Sequence, residues 1–254
     1  MSNPPLSIAL LGSGEFEPWT EDVDRWLLDR ATGDGSVLIL PAASAPEGDK
    51  VFDNWGSMGL THYGRLGIPA EVVPLKTRED AERPELAERL ATASMAYFSG
   101  GNPAYLAGVL LGTPFWSELL GAMARGMAYT GCSAGIASLG EVAVDSAVRD
   151  FTSSELWKPG LRLFPRLQFG PHWDALDTYA PGLRRMFISS VPEEWRLFAV
   201  DEHTAVMGNG TSWRVVGAGG AHLRDSGEWR NFGAGDKFTA QLDIVLTPIE
   251  ATQA

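Results

Sequence analysis

Through the first half of the chain, short runs of consecutive apolar residues alternate with longer stretches of helix-spaced polarity. Residues 6–11, 37–40, 70–75, 95–98 and 127–130 are the apolar runs. Apolar residues at successive positions mark strands buried on both faces. Between them, residues 20–31 carry Val23, Trp26, Leu27 and Arg30 at helical spacing, with Thr20 placed to cap the N-terminus. A less regular helix is expected within 49–65, and another over 79–93 whose regular part begins at Pro84. Residues 103–111 and 114–125 read as two helices, each opened by a proline. Strands covered on both faces and alternating with helices predict an α/β three-layer sandwich around a mainly parallel sheet.

Beyond Ile136 the pattern changes. One helix is expected over 174–189, and the remainder is short strand-like runs at 197–200, 204–207, 213–216 and 241–246. Gly208-Asn209-Gly210 reads as the tight turn of a hairpin. These C-terminal strands are expected to extend the sheet or to form an antiparallel flap over a site. No repeat, low-complexity segment or linker interrupts the 254 residues, so 1–254 is read as a single domain.

Charge narrows the function classes. A net charge of −12 with no basic run argues against nucleic-acid partners and against general attraction to anionic membranes. One cysteine, Cys132, excludes an intrachain disulfide and fits a reducing compartment. The first residues, MSNPPLSIALLGSGE, lack the basic region of a signal peptide, so a cytoplasmic location is expected.

The candidate chemistry begins at Gly131-Cys132-Ser133-Ala134-Gly135, which follows the strand at 127–130. It fits the G-x-S-x-G nucleophile elbow, a sharp strand-to-helix turn that lifts one side chain above a sheet. Around Cys132 the corresponding flanks would be Thr130 and Ala134, so the glycine frame selects Ser133. A serine nucleophile needs a base, and His172 sits at an element end after a Gly-Pro turn. His62 and His222 read as structural. Asp145, Asp150, Asp174, Asp201 and Glu202 are all open as the acid that would orient the imidazole. An oxyanion hole would draw on the Ala134 N–H together with Gly100 or Gly101, which follow the strand at 95–98. The order Ser, His, acid departs from that of α/β-hydrolases.

Four segments together resemble the peptidase E / cyanophycinase family of serine peptidases: Tyr97 to Asn102, Gly131 to Gly135, Pro171-His172-Trp173 and Asp201 to Ala205. The resemblance runs from about Leu6 to Leu223. It implies a flavodoxin-like, class I glutamine amidotransferase-like fold, to which the C-terminal strand-like runs would add antiparallel strands. It also implies Ser133 as nucleophile, His172 as base and Glu202 as acid, with Asp201 as the substitute acid. Family members cleave peptides at an aspartyl residue, including Asp-X dipeptides and an aspartate–arginine polymer. Two features depart from the family. Pro103 stands where a polar residue is usual, and no arginine lies close after His172. Asn102, Arg184 and Arg185 are then the candidates for holding substrate.

The expectation is therefore a cytoplasmic serine hydrolase acting on small peptides, without metal or cofactor, with homodimerisation left open. Two rivals are a glutaminase-like enzyme using Cys132 and a binding module on the same fold.

Overall fold

The computed structural model describes residues 6–247. Its central sheet contains five parallel strands: β1 (Ile8–Leu11), β2 (Val37–Leu40), β3 (Ala70–Val72), β4 (Met95–Phe98) and β5 (Ala128–Cys132). They lie in the order β1-β5-β4-β2-β3. Consecutive residues of these strands divide between two cores because side chains alternate across a strand. Leu10, Leu40, Phe98 and Tyr129 face one layer, and Leu11, Ile39, Tyr97 and Cys132 face the other. Helices α1 (Glu21–Leu28) and α2 (Asp49–Leu66) bring Val23, Leu27 and Tyr63 to the second core. The opposite layer holds α3 (Arg78–Ala81), α4 (Pro84–Ala87), α5 (Pro103–Leu110) and α6 (Pro114–Ala124).

The single helix expected over 79–93 is instead α3, α4 and a 3-10 turn at Glu88–Ala91. Pro84 sets the break: the preceding Arg83 is extended (φ −80°, ψ 119°), as a residue before proline prefers.

After β5 come the short helix α7 (Ala134–Ala137), a hairpin of β6 (Val142–Val144) and β7 (Trp157–Pro159), and β8 (Leu167–Gly170). The helix expected over 174–189 is divided into α8 (Leu176–Tyr179) and α9 (Leu183–Ser190). Ala180 is extended and Gly182 is left-handed at φ +84°, which redirects the chain between them.

The remaining strands are β9 (Arg196–Val200), β10 (Thr204–Gly208), β11 (Ser212–Gly217), β12 (Gly220–Asp225), β13 (Glu228–Gly233) and β14 (Lys237–Thr239). The expected extension of the central sheet is found, whereas the other C-terminal strands form a mixed sheet and not an antiparallel flap. Strands β10, β11 and β14 extend the central sheet antiparallel beside β1, while β9 joins β8, β12 and β13 in a separate four-stranded sheet. Asn209 closes the β10–β11 hairpin by accepting from Thr211 and Ser212 N–H.

The strand expected at 241–246 does not form. Its backbone bonds go singly to two separate partners, Leu242 N–H to Gly210 O and Val245 N–H to Leu163 O, so no ladder develops. The β12–β13 hairpin was not read from the sequence.

Candidate active site

The carboxyl ends of β1, β4 and β5 bring three turns together, as expected of an open parallel sheet. The elbow follows β5. Ser133 has φ +51° and ψ −106°, a conformation that side-chain-bearing residues rarely adopt, and its N–H bonds to Leu11 O at 3.0 Å. The flanking glycines are sterically required. A methyl on Gly131 would lie 2.5 Å from Gly135 O, and one on Gly135 would overlap Phe98 O.

His172 and Glu202 reach Ser133 through the smaller sheet. Strands β8 and β9 are parallel, with Gly170 opposite Ala199. The chain beyond each strand therefore emerges on the same side, and Trp173 N–H prolongs the pairing to Val200 O. His172, at φ +53°, turns its ring toward the elbow. Its Nε2 lies 2.8 Å from Ser133 Oγ, and its Nδ1 lies 3.0 Å from Glu202 Oε1. The imidazole and carboxylate are 24% and 28% exposed, open enough for substrate yet shielded from bulk screening.

Of the five open carboxylates, only Glu202 reaches the imidazole. Asp201 turns the other way, to His222 Nε2 at 3.0 Å and Gly220 N–H at 2.8 Å. Asp174 accepts the Glu202 N–H at 2.8 Å. Asp145 accepts from the Asn102 side chain, and Asp150 is held by Thr152. The Tyr179 hydroxyl donates to Glu202 Oε1 at 2.6 Å, and this bond holds the carboxyl below its ordinary range, with His172 adding to the effect against partial burial. In return, the same bond pushes the Tyr179 hydroxyl up to about 12.

The Gly100 N–H is committed to Glu15 Oε1 at 2.9 Å, which corrects its expected part in an oxyanion hole. Among the described residues, no acceptor takes the N–H of Gly101 or Ala134. Gly101, at φ +142°, packs so closely on Ala43 that a side chain there would overlap its carbonyl.

A model of peptidase family S51 matches residues 8–216. The chain belongs to peptidase family S51. It is a serine peptidase, as that membership indicates. It is similar to the crystal structure of a peptidase from an acI-B1 Actinobacterium, with a TM-score of 0.84 and 27% identity over 94% of this chain and 99% of that one. A putative peptidase E protein from Listeria monocytogenes EGD-e shares the fold, with a TM-score of 0.58 and 17% identity over 84% and 98% of the two chains. No curated protein matches the sequence.

Within this S51 peptidase, Cys132 is unsuited to attack. The thiol is fully buried and donates to Glu15 Oε2 at 2.9 Å, and burial, reinforced by the Glu15 charge, pushes it far up. The glutaminase-like alternative therefore lacks a reactive thiol.

Of the substrate-holding candidates, Asn102 and Arg184 are engaged by other groups. Asn102 caps α5 by accepting from Ala104 and Tyr105 N–H, and its Nδ2 donates to Asp145. Arg184 lies over the Trp173 ring and donates to Asp174 O, in a different cavity from Ser133, while Arg185 is exposed. His62 and His222 are structural, as expected: the first is buried against Asp24, and the second joins Asp201 to Asn231. Sequence reasoning missed Tyr179 and Glu15. Neither belongs to a motif, and each acquires its role only through a tertiary contact.

A cavity of about 330 Å³ opens onto Ser133, His172 and Gly101. A larger one, about 720 Å³, lies between Trp26, Trp213 and Phe238 at the start of β1, the end of the sheet away from the elbow.

Proposed function

We propose that Ser133, His172 and Glu202 form the catalytic triad of a peptidase acting on short peptides. Glu202 accepts the Nδ1–H of His172 and so fixes the tautomer in which Nε2 can accept the Ser133 proton. Ser133 Oγ attacks the scissile carbonyl carbon as its proton passes to His172 Nε2. The carbonyl oxygen becomes an oxyanion facing the Gly101 and Ala134 N–H groups. When the intermediate collapses, the C–N bond breaks and the imidazolium gives its proton to the departing amine, leaving an acyl-serine. Water, deprotonated by the same imidazole, then attacks the ester carbon and frees Ser133.

The observation that carries this reading is the unbroken chain from Ser133 Oγ through both ring nitrogens of His172 to Glu202. The unpartnered Gly101 and Ala134 N–H groups support the oxyanion assignment. The lone, buried Cys132 suits a reducing, cytoplasmic setting. A fluorophosphonate probe tests the assignment. Wild type is expected to be labelled at Ser133, with labelling lost in Ser133→Ala. Peptide hydrolysis by Ser133→Ala or His172→Ala is expected to fall by about three orders of magnitude or more. Unchanged labelling or hydrolysis in Ser133→Ala would move the nucleophile elsewhere.

A further inference from the structure

The cavity beside Ser133 carries information about the substrate. Val144, Leu156, Leu176, Met186 and Phe187 wall it. Phe151 and Tyr179 line it as well, yet are 40% and 61% exposed, which leaves two aromatic faces open to water. Large exposed apolar faces concentrated around one cavity gain when an apolar ligand covers them.

The charges are poorly suited to an acidic side chain. Besides His172, which serves as the base, Asp145 and Arg149 are the ionic residues lining the cavity among those described. Asp145 already accepts from Asn102 Nδ2 and Ala147 N–H, which fixes a negative charge in the wall that an incoming carboxylate would meet. Arg149 is exposed on the loop after β6, where water screens its charge. Arg184 and Arg185 do not line the cavity. A desolvated carboxylate would thus lack the buried cation it needs.

We propose that this cavity seats a bulky apolar side chain adjoining the scissile bond, so that the enzyme favours leucine-, methionine- or phenylalanine-containing peptides over aspartyl ones. The proposal rests on Ser133 being the nucleophile, because only then does the cavity border the cleaved bond. Burial of such a side chain should raise kcat/KM roughly tenfold to a hundredfold over alanine.

Homotripeptides of leucine, phenylalanine, alanine and aspartate place the same side chain on both sides of either bond. We expect the leucine and phenylalanine peptides to be cut at least about tenfold more efficiently than the other two. They should also protect Ser133 from fluorophosphonate labelling at correspondingly lower concentration, a readout that does not require turnover. Met186→Arg, which puts a cation into the wall, should erase most of that preference, lowering kcat/KM for the leucine peptide relative to that for the aspartate peptide. Equal or better cleavage or protection by triaspartate, or no advantage over trialanine, would overturn the apolar assignment and leave the nucleophile in place. Absence of probe labelling in wild type would instead remove the nucleophile, and the apolar assignment with it.

Discussion

At the residue scale, two adjacent carboxylates with different partners explain why Glu202, and not Asp201, meets the base. Asp201 is held by His222 and the Gly220 N–H, while Glu202 is anchored through its own N–H to Asp174 and through its carboxylate to Tyr179 and His172. Glu202→Gln keeps the shape but offers His172 no charge, and an amide presenting its NH2 group would favour the wrong tautomer. We expect kcat to fall by about two to four orders of magnitude, measured at saturating peptide. Tyr179→Phe should be far milder. Without the hydroxyl, the Glu202 carboxyl rises toward its ordinary 4.5, so it remains ionised at neutral pH. The loss is one of orientation, within about tenfold in kcat, and it should be equal at pH 6.5 and pH 8. A deficit that grew toward the lower pH would show that charge, and not position, had been lost. Ser133 and His172 were legible in the sequence because a glycine frame and a Gly-Pro turn mark them locally. The choice between Asp201 and Glu202 was not legible from the residues alone, because it depends on which strand lies beside β9.

At the scale of elements, the elbow works because β4, β5 and α7 approach more closely than side chains allow. Gly135→Ala would drive a methyl into Phe98 O, whereas a methyl on Gly108, exposed on α5, meets nothing within 4 Å. Thermal unfolding should separate the two. Gly135→Ala is expected to cost about 1–3 kcal/mol and to reduce activity by displacing Ser133. Gly108→Ala should be neutral or stabilising by up to about 1 kcal/mol. Equal effects would mean that the elbow can relax. The parallel strands were legible because continuous apolar runs such as Val37–Leu40 fit little else. The β12–β13 hairpin was not. Nearly all of Glu228–Gly233 is exposed, so hydrophobic periodicity carries no signal there, and pairing with β12 alone makes it a strand. Helix ends failed where proline or glycine intervened, at Pro84 and at Pro181-Gly182, because spacing reports a face and not its continuity.

Across the whole molecule, the strands of the smaller sheet must keep their places for His172, after β8, and Glu202, after β9, to meet the elbow together. His222 helps to hold that sheet together. From β12 the ring bonds Asp201, which follows β9, and Asn231 on β13. Burial disfavours the charged forms of both His222 and Asp201. Their mutual bond, aided by Asn231 and by Gly220 N–H, overcomes it, so His222 is raised and Asp201 lowered. A raised histidine stabilises the fold fully below its unfolded value of 6.5, and that contribution is lost as pH climbs through the folded value. A lowered aspartate acts conversely: its contribution is present above 3.8 and lost as pH falls through the folded value. The pair is therefore strongest between those limits. Asp24, raised by burial, changes in the opposite sense to Asp201, losing stability as pH rises from 3.8. It is common to wild type and variant, so a difference measurement removes it. We expect wild-type stability, relative to His222→Gln, to decline between pH 6 and pH 8.5, by no more than about 1 kcal/mol because the pair is partly solvated. Denaturant unfolding of both proteins at each pH gives this difference directly. A gap that stayed constant or widened with pH would mean that His222 ties the strands together as a neutral hydrogen-bonding group, without its charge.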